Sequence, residues 1–388
     1  MANSTTSSAV YLDYHATTPV DSRVEEAMQP YLRDAFANPH STDHSDGWRA
    51  SKAAEKALGD IAKNLGVDPD EVILTSGATE ANNLAVLGLA RRAASSRRRI
   101  LISAIEHKCV SASAAAMART GFTVEVIPVD PSGLVDLSTL EDRLDDDVLL
   151  VSVMAVNNEI GTVQDTAAIS RLSAQCGAFF HSDFAQALGA GLTIDVNGPG
   201  LASLSAHKIY GPKGIGALYI RRDIQRHLEP LMYGGGQQGG LRPGTMPVAL
   251  AVGLAKAISL MRAEQEELSR IKELRDSLVE RVLALSSSIL VNGPETSKRH
   301  PGNTNLQFVG FDARDLLAAV QPWLSASTGS ACTSGEVAPS HVLRAIGLSV
   351  HEAESSIRFG LGRFSSPADV DTAVTLLAEA ISSAPRNS

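Results

Sequence analysis

At 388 residues the chain has room for two domains, and its 44% apolar and 20% charged residues are those of an ordinary globular protein. A formal charge of −9 excludes a global field that would attract nucleic acid or anionic lipid, and no run approaches the roughly 18–20 apolar residues that span a bilayer. Three scattered cysteines, Cys109, Cys176 and Cys332, form no CxxC pair, which speaks against a disulfide framework or a zinc site and for a reducing, cytoplasmic setting.

The opening MANSTTSSA lacks the basic and apolar regions of a signal peptide and reads as a short polar tail. From Val72 to Ile220 short apolar runs alternate with amphipathic stretches. EVILTSG, RILISAIEH, TVEVIPV, VLLVSVMAVNN, GAFFHSDFAQ, LASLSAHK and GIGALYIRR predict strands, and EANNLAVLGLARRA and TAAISRLSAQCG predict helices between them. This alternation predicts an α/β fold with a mainly parallel sheet between two layers of helices. The densest basic run, RRAASSRRR (Arg91–Arg99), reads as a helix end and its loop. From Pro247 to Ser286 one long run rich in Ala, Leu, Glu, Arg and Lys exceeds a typical helix and predicts a link to a second unit. Beyond Ile289, strands (NTNLQFVG, SSIRFGLG) mix with helices (ARDLLAAVQ, SHVLRAIG, PADVDTAVTLLAEAI), as in a smaller α/β domain. The expected division is a large domain over 16–262 and a small one over 263–388, with residues 1–15 packing on the small domain.

Ligands of such sheets collect at the C-terminal ends of the strands. The unusual polar residues fall there: Thr75–Thr79, Glu106–His107, Asn157–Asn158, Asp183–Gln186 and Ser205–Lys208. Lys208 ends a strand before a Gly/Pro-rich turn, where apolar neighbours lower an amine's pKa and suit it to bond an aldehyde; Ser205 and His207 offer hydrogen bonds to an anion beside it. In LTSGATEANNLAVLGLA a strand ends at Thr75 and a helix is expected to start near Thr79 or Glu80. Its free N–H groups would cradle a phosphate, with the Thr79 hydroxyl added. Asp183 follows an apolar strand, where a carboxylate is costly without a partner; a pyridinium nitrogen is such a partner. Gln186 lies within reach of a ring hydroxyl, and the flat imidazole of His107 can cover a ring's face. An amine, an anion cradle, a carboxylate and a stacking ring on one sheet describe a site for pyridoxal 5'-phosphate (PLP).

The motifs YLDYHATTP, TSGATEANNLA, EHKCV, VNNEIGTVQ, HSDFAQ, SAHKIYGPKG, RPGTMP, STGSACTSG and SSIRFGLGRF, in consecutive order from Val10 to Ala380, resemble the cysteine desulfurases of the NifS/IscS type. These are class V aminotransferase-like enzymes of PLP fold type I. The resemblance implies that Lys208 binds PLP covalently, that Ala78, Thr79, Ser205 and His207 hold its phosphate, and that Thr245 reaches the phosphate in the other subunit of a homodimer. It further implies that Asp183 pairs with the pyridine nitrogen, Gln186 contacts the ring oxygen and His107 stacks on the ring. Asn158 would lie near cofactor and substrate, and Arg358 would clamp the substrate carboxylate, a task for which its planar fork is suited.

By the same resemblance Lys208 is the general base and Cys332 the nucleophile that takes sulfur from L-cysteine as a persulfide, with His107 handling protons and L-alanine as the product. The Gly/Ser loop around Cys332, about Ser325 to Pro339, would carry the sulfur to an acceptor protein that serves iron–sulfur cluster, thio-cofactor or thionucleoside synthesis. Cys109 and Cys176 are expected to be packed or spectator thiols. The chain departs from the family at Phe184, where a small residue is usual, so the cofactor's edge is expected to be packed differently. It also stops soon after LLAEAISSAPRNS, short of the segment with which many members meet an iron–sulfur scaffold. Rival readings are a selenocysteine lyase, another class V enzyme such as an aminotransferase, and a catalytically idle sulfur-relay or scaffold partner. The thiol loop argues against transamination, which needs no thiol, and the presence of both Lys208 and Cys332 argues against an idle homologue.

Overall fold

The computed structural model describes residues 9–384 apart from 95, 196, 265 and 330–338. Its strands are β1 (Val10–Tyr11), β2 (Val72–Thr75), β3 (Arg99–Ser103), β4 (Thr123–Ile127), β5 (Val148–Ser152), β6 (Phe179–Asp183), β7 (Leu201–Ser205), β8 (Gly216–Ile220), β9 (Ile289–Asn292), β10 (Asn303–Phe308), β11 (Leu324–Ser325) and β12 (Ser356–Gly360). The seven runs read as strands between Val72 and Ile220 form one sheet in the order β2-β8-β7-β6-β5-β3-β4. It is parallel except for β8, which runs antiparallel to both β2 and β7.

Strand alternation explains why these runs read as continuously apolar. Val72, Leu74, Ala202, Leu204, Ala217 and Tyr219 enter one core, together with Ile61 of helix Ser45–Leu65 and Leu254 and Ile258 of helix Val248–Ala263. Ile73, Leu201, Leu218 and Ile220 enter the opposite core, with Leu84 of helix Ala78–Arg91 and Val110 of helix Lys108–Ala118. Both faces are covered, so the ligand-accessible edge is the row of strand C-termini at Thr75, Ser103, Ser152, Asp183 and Ser205.

The long run after Pro247 divides into helices Val248–Ala263 and Glu266–Leu283. Nothing in its composition marks the break; tertiary charge does. Glu264, which caps the first helix, takes Arg23 and Arg363, and Arg363 also binds Asp21 at 2.6 Å and Glu267 at 3.0 Å. The remaining strands build a three-stranded antiparallel sheet, β12-β10-β9, and a parallel pair, β1 with β11. Val10 and Leu12 share a core with Leu278, Leu306, Phe308, Leu324, Ile357 and Leu377.

The basic run is consumed internally. Arg97 donates to the carbonyls of Val148 and Cys176, Arg98 lies over the Phe122 ring, and Arg99 pairs with Glu125, Asp145 and Asp147. Among the described residues no helix is long and apolar enough to cross a membrane.

Candidate active site

A cavity of about 630 Å³ opens along the strand C-termini, of a size that suits a small cofactor with its substrate. Among the residues lining it are Ala78, Thr79, His107, Asn158, Asp183, Gln186, Ser205, His207, Lys208 and Arg358. Ten of the twelve expected site residues therefore converge on one space. Thr245 does not: it is exposed, beyond Arg242, which pairs with Glu80 at 2.9 Å. Cys332 lies outside the described residues. The chain on either side of it reaches the cavity, however, since Gly329, His341 and Val342 all line it. Ser340 is anchored there through its hydroxyl to Glu159 Oε2 at 2.5 Å.

Lys208 ends a short turn, Ala206–Lys208, directly after β7. Its Nζ donates to the carbonyls of His15 at 2.6 Å and Ala16 at 2.9 Å. Burial, then the nearby Arg358 charge, lowers its pKa to about 8, against the opposing pull of Asp183 and Asp13. Asp183 closes β6 and is 4% exposed. Its Oδ2 accepts from Asn82 Nδ2 at 2.7 Å and its Oδ1 from the Ala185 N–H at 2.9 Å. Phe184, the next residue, faces the other way and is buried in the core with Ala155, Leu188 and Ala206. It does not line the cavity, so the bulk expected at the cofactor's edge is absent there.

The expected anion cradle begins one residue early, with helix Ala78–Arg91. Its first-turn amides have no acceptor within the helix and are open to an anion. The turn lies tightly on β8: a Cβ at Gly216 would stand 2.7 Å from Gly77 Cα and 2.3 Å from the Leu204 oxygen. Only glycine lets strand and turn approach this closely. Opposite, His207 Nδ1 meets Thr17 Oγ1 at 3.1 Å, and burial lowers its pKa to about 4.

His107 caps helix Lys108–Ala118, its Nδ1 accepting from the Cys109 N–H at 3.2 Å. Desolvation keeps its pKa below the ordinary value, so the neutral ring carries its hydrogen on Nε2. Cys109 Sγ is 3.0 Å from His107 Nδ1 and 3.1 Å from Asn82 Nδ2, and burial pushes its thiol up to about 12. It is therefore an un-ionised thiol in the cavity wall. Cys176 is half-buried at the end of helix Thr166–Gln175 and is not among the lining residues. Arg358, on β12, is 1% exposed; its Nη2 binds Asp13 at 2.7 Å, its Nη1 the Asn158 carbonyl at 3.1 Å, and its Nε has no partner among the described residues.

Four residues of the site went unassigned in the sequence. Asn82 hides in a helix that reads as merely amphipathic, and Asp13 and His15 in an irregular N-terminal stretch. Glu106 was visible only as a polar residue at a strand end. It is 1% exposed, and its Oε1 accepts from Ser103 Oγ at 2.5 Å and the Met154 N–H at 2.7 Å. Burial raises its pKa to about 8. Among the described residues no cluster of three His, Cys, Asp or Glu side chains is placed to hold a metal ion.

These residues fit PLP. A buried carboxylate borders the cavity, each of its oxygens accepting one bond and keeping a lone pair that suits a ring nitrogen. An amine of lowered pKa shares that cavity, and a helix N-terminus suits a phosphate.

The aminotransferase class-V family model matches residues 10–373. A cysteine desulfurase IscS of Rickettsia bellii (strain OSU 85-389) is 44% identical over 375 residues, covering 96% of this chain and 91% of its own length. Among solved structures, a NifS-like protein superposes with a TM-score of 0.90 at 34% identity, over 96% of this chain and 99% of that one. A structure described as SspA in complex with cysteine superposes at 0.79 with 35% identity, over 92% and 99% of the two chains.

Proposed function

We infer from the site and its relatives that this chain, which belongs to the aminotransferase class-V family, is a PLP-dependent cysteine desulfurase acting on L-cysteine and passing its sulfur to an acceptor protein. The observation that carries the reading is the placement of Lys208 and Asp183 in one cavity whose wall continues on both sides of the segment holding Cys332.

PLP, when bound, supplies an electron sink that labilises the bonds at the substrate's Cα and, through them, its C–S bond. The chain's own residues do the rest. Asp183, held by Asn82, keeps a proton on the ring nitrogen. Ala78, Thr79, Ser205 and His207 hold the phosphate, Gln186 the ring oxygen, and the His107 ring covers one face. Arg358, steadied by Asp13 and by the carbonyl of Asn158, receives the substrate carboxylate. Lys208, with a pKa of about 8, is neutral often enough near pH 7 to take the Cα proton as general base. The Nε2–H of His107 is the proton donor on the cavity side.

Cys332, as thiolate, attacks the substrate sulfur: an S–S bond forms, the substrate C–S bond breaks, and the carbon takes a proton to become alanine. Cys332 stands three residue steps beyond Gly329, a reach of about 10 Å, which supports delivery of its thiol to the cavity. The exposure of Thr245 supports a homodimer in which this residue serves the other subunit's phosphate. We further propose the division into domains 16–262 and 263–388, with residues 1–15 on the small one, a cytoplasmic location, and an acceptor in iron–sulfur, thio-cofactor or thionucleoside synthesis.

Borohydride reduction of the PLP-loaded enzyme followed by peptide mapping tests the reading. The pyridoxyl label is expected on Lys208, and a label on another lysine would refute it.

A further inference from the structure

His15 lies in the motif YLDYHATTP and is 3% exposed, yet the roles above leave it without a task. Its carbonyl accepts both Lys208 Nζ at 2.6 Å and Gln186 Nε2 at 3.0 Å, and its Nδ1 lies 3.2 Å from Gln186 Oε1. These contacts admit one arrangement of hydrogens. Turning the Gln186 amide over would set its oxygen against the His15 carbonyl, acceptor against acceptor. Oε1 therefore faces Nδ1, and Nδ1 carries the hydrogen.

The rest of the ring agrees with this tautomer. Nε2, then an acceptor, is buried without a partner among the described residues. His15 lines a small cavity of about 20 Å³ with Gln186, Lys208, Tyr210 and His300, room for one water to satisfy that nitrogen. Burial, followed by the neighbouring His300, Arg358 and Lys208, holds the His15 pKa well below its ordinary value. The ring stays neutral, and its donor does not switch as pH changes around 7.

We propose that His15 is a positioning residue for the cofactor: by donating its Nδ1–H to Gln186 Oε1, it fixes the amide so that the second Nε2 hydrogen is left for the ring oxygen of PLP. The inference rests on the placement of Gln186 at that oxygen. The same residue, through its carbonyl, holds the Lys208 amine, so one stretch of backbone registers two groups of the site.

The test is the PLP affinity of the apoenzyme, read by absorbance titration, with thermal unfolding as a check on folding. His15→Asn keeps a donor where Nδ1 stands, His15→Gln moves it to the Nε2 position, and His15→Leu has none. The Asn variant is expected within about twofold of wild type, and the Gln and Leu variants about fivefold to tenfold weaker, the worth of one hydrogen bond. In a Gln186→Leu background all three bind alike, because His15 acts through Gln186. Equal losses in both backgrounds, or an Asn variant as weak as the Leu variant, would overturn the proposal. If His15→Leu does not fold, the contrast between Asn and Gln decides. Unchanged PLP affinity in Gln186→Leu alone would instead overturn the placement of Gln186, and this proposal with it.

Discussion

Replacing Arg358 with Gln tests how the site sets the basicity of Lys208. Burial is the first cause of the lowered Lys208 pKa and the Arg358 guanidinium the second, while Asp183 and Asp13 pull the other way. Arg358 is 1% exposed and shares its charge with Asp13 at 2.7 Å. The substitution removes a lowering charge and releases a raising one. Both changes push Lys208 up from about 8 toward its ordinary 10.5. At pH 7 an amine of pKa about 8 is roughly one-tenth neutral, whereas an unperturbed lysine is neutral in about one molecule in three thousand. Each unit of rise thus cuts the reactive amine about tenfold at pH 7. The assay is the rate at which apoenzyme takes up PLP, followed by absorbance across neutral and alkaline pH. The wild-type rate should climb with pH and level off near 8. The Arg358→Gln rate should level off later and be several-fold lower at pH 7, while Arg358→Lys, which keeps a charge, stays closer to wild type. An inflection that does not move, or moves down, would refute the electrostatic account of the general base.

Two further outcomes follow from the same geometry. Folded Glu106 titrates near 8 against an ordinary 4.5, so between those pH values the folded chain keeps a proton that the unfolded chain releases, and stability falls as pH rises. Glu106→Gln mimics the protonated acid, so its melting-temperature advantage over wild type should grow from about pH 5 to pH 8; a constant difference would contradict a neutral buried carboxyl. Gly216→Ala places a Cβ 2.7 Å from Gly77 Cα and should displace the phosphate turn. Affinity for PLP should then fall more than affinity for pyridoxal, which lacks the phosphate, and equal losses would place the damage elsewhere.

Much of this was legible in the chain itself. Six strands of the main sheet announced themselves as short, mostly apolar runs because both their faces are buried. The edge strand β4 is largely exposed and showed itself only by the alternation in TVEVI. Lys208, Asp183 and His107 stood out as polar residues at the ends of such runs, where solvation alone does not explain them. Contacts that depend on distant segments were not legible. The break at Glu264 is made by Arg23 and Arg363, which lie far away in sequence. Asn82 looks like one more polar residue of a helix until the fold sets it 2.7 Å from Asp183. Strands β1 and β11, two residues each, are too short for any periodicity to show. Gln186 lines the cavity, but its contacts with His15 depend on the N-terminal stretch lying across the lysine, which no local pattern shows.

The proposed transfer of sulfur from the Lys208 site to Cys332 is the step on which the reaction turns. Its most direct measurement is mass spectrometry of the PLP-loaded enzyme after one turnover with L-cysteine, without reductant, beside the Cys332→Ala variant. One added sulfur atom is expected on the peptide that contains Cys332, together with alanine, and the variant is expected to keep the cofactor's absorbance but lose turnover. Added sulfur on Cys109 instead, or full sulfide release by Cys332→Ala, would contradict it.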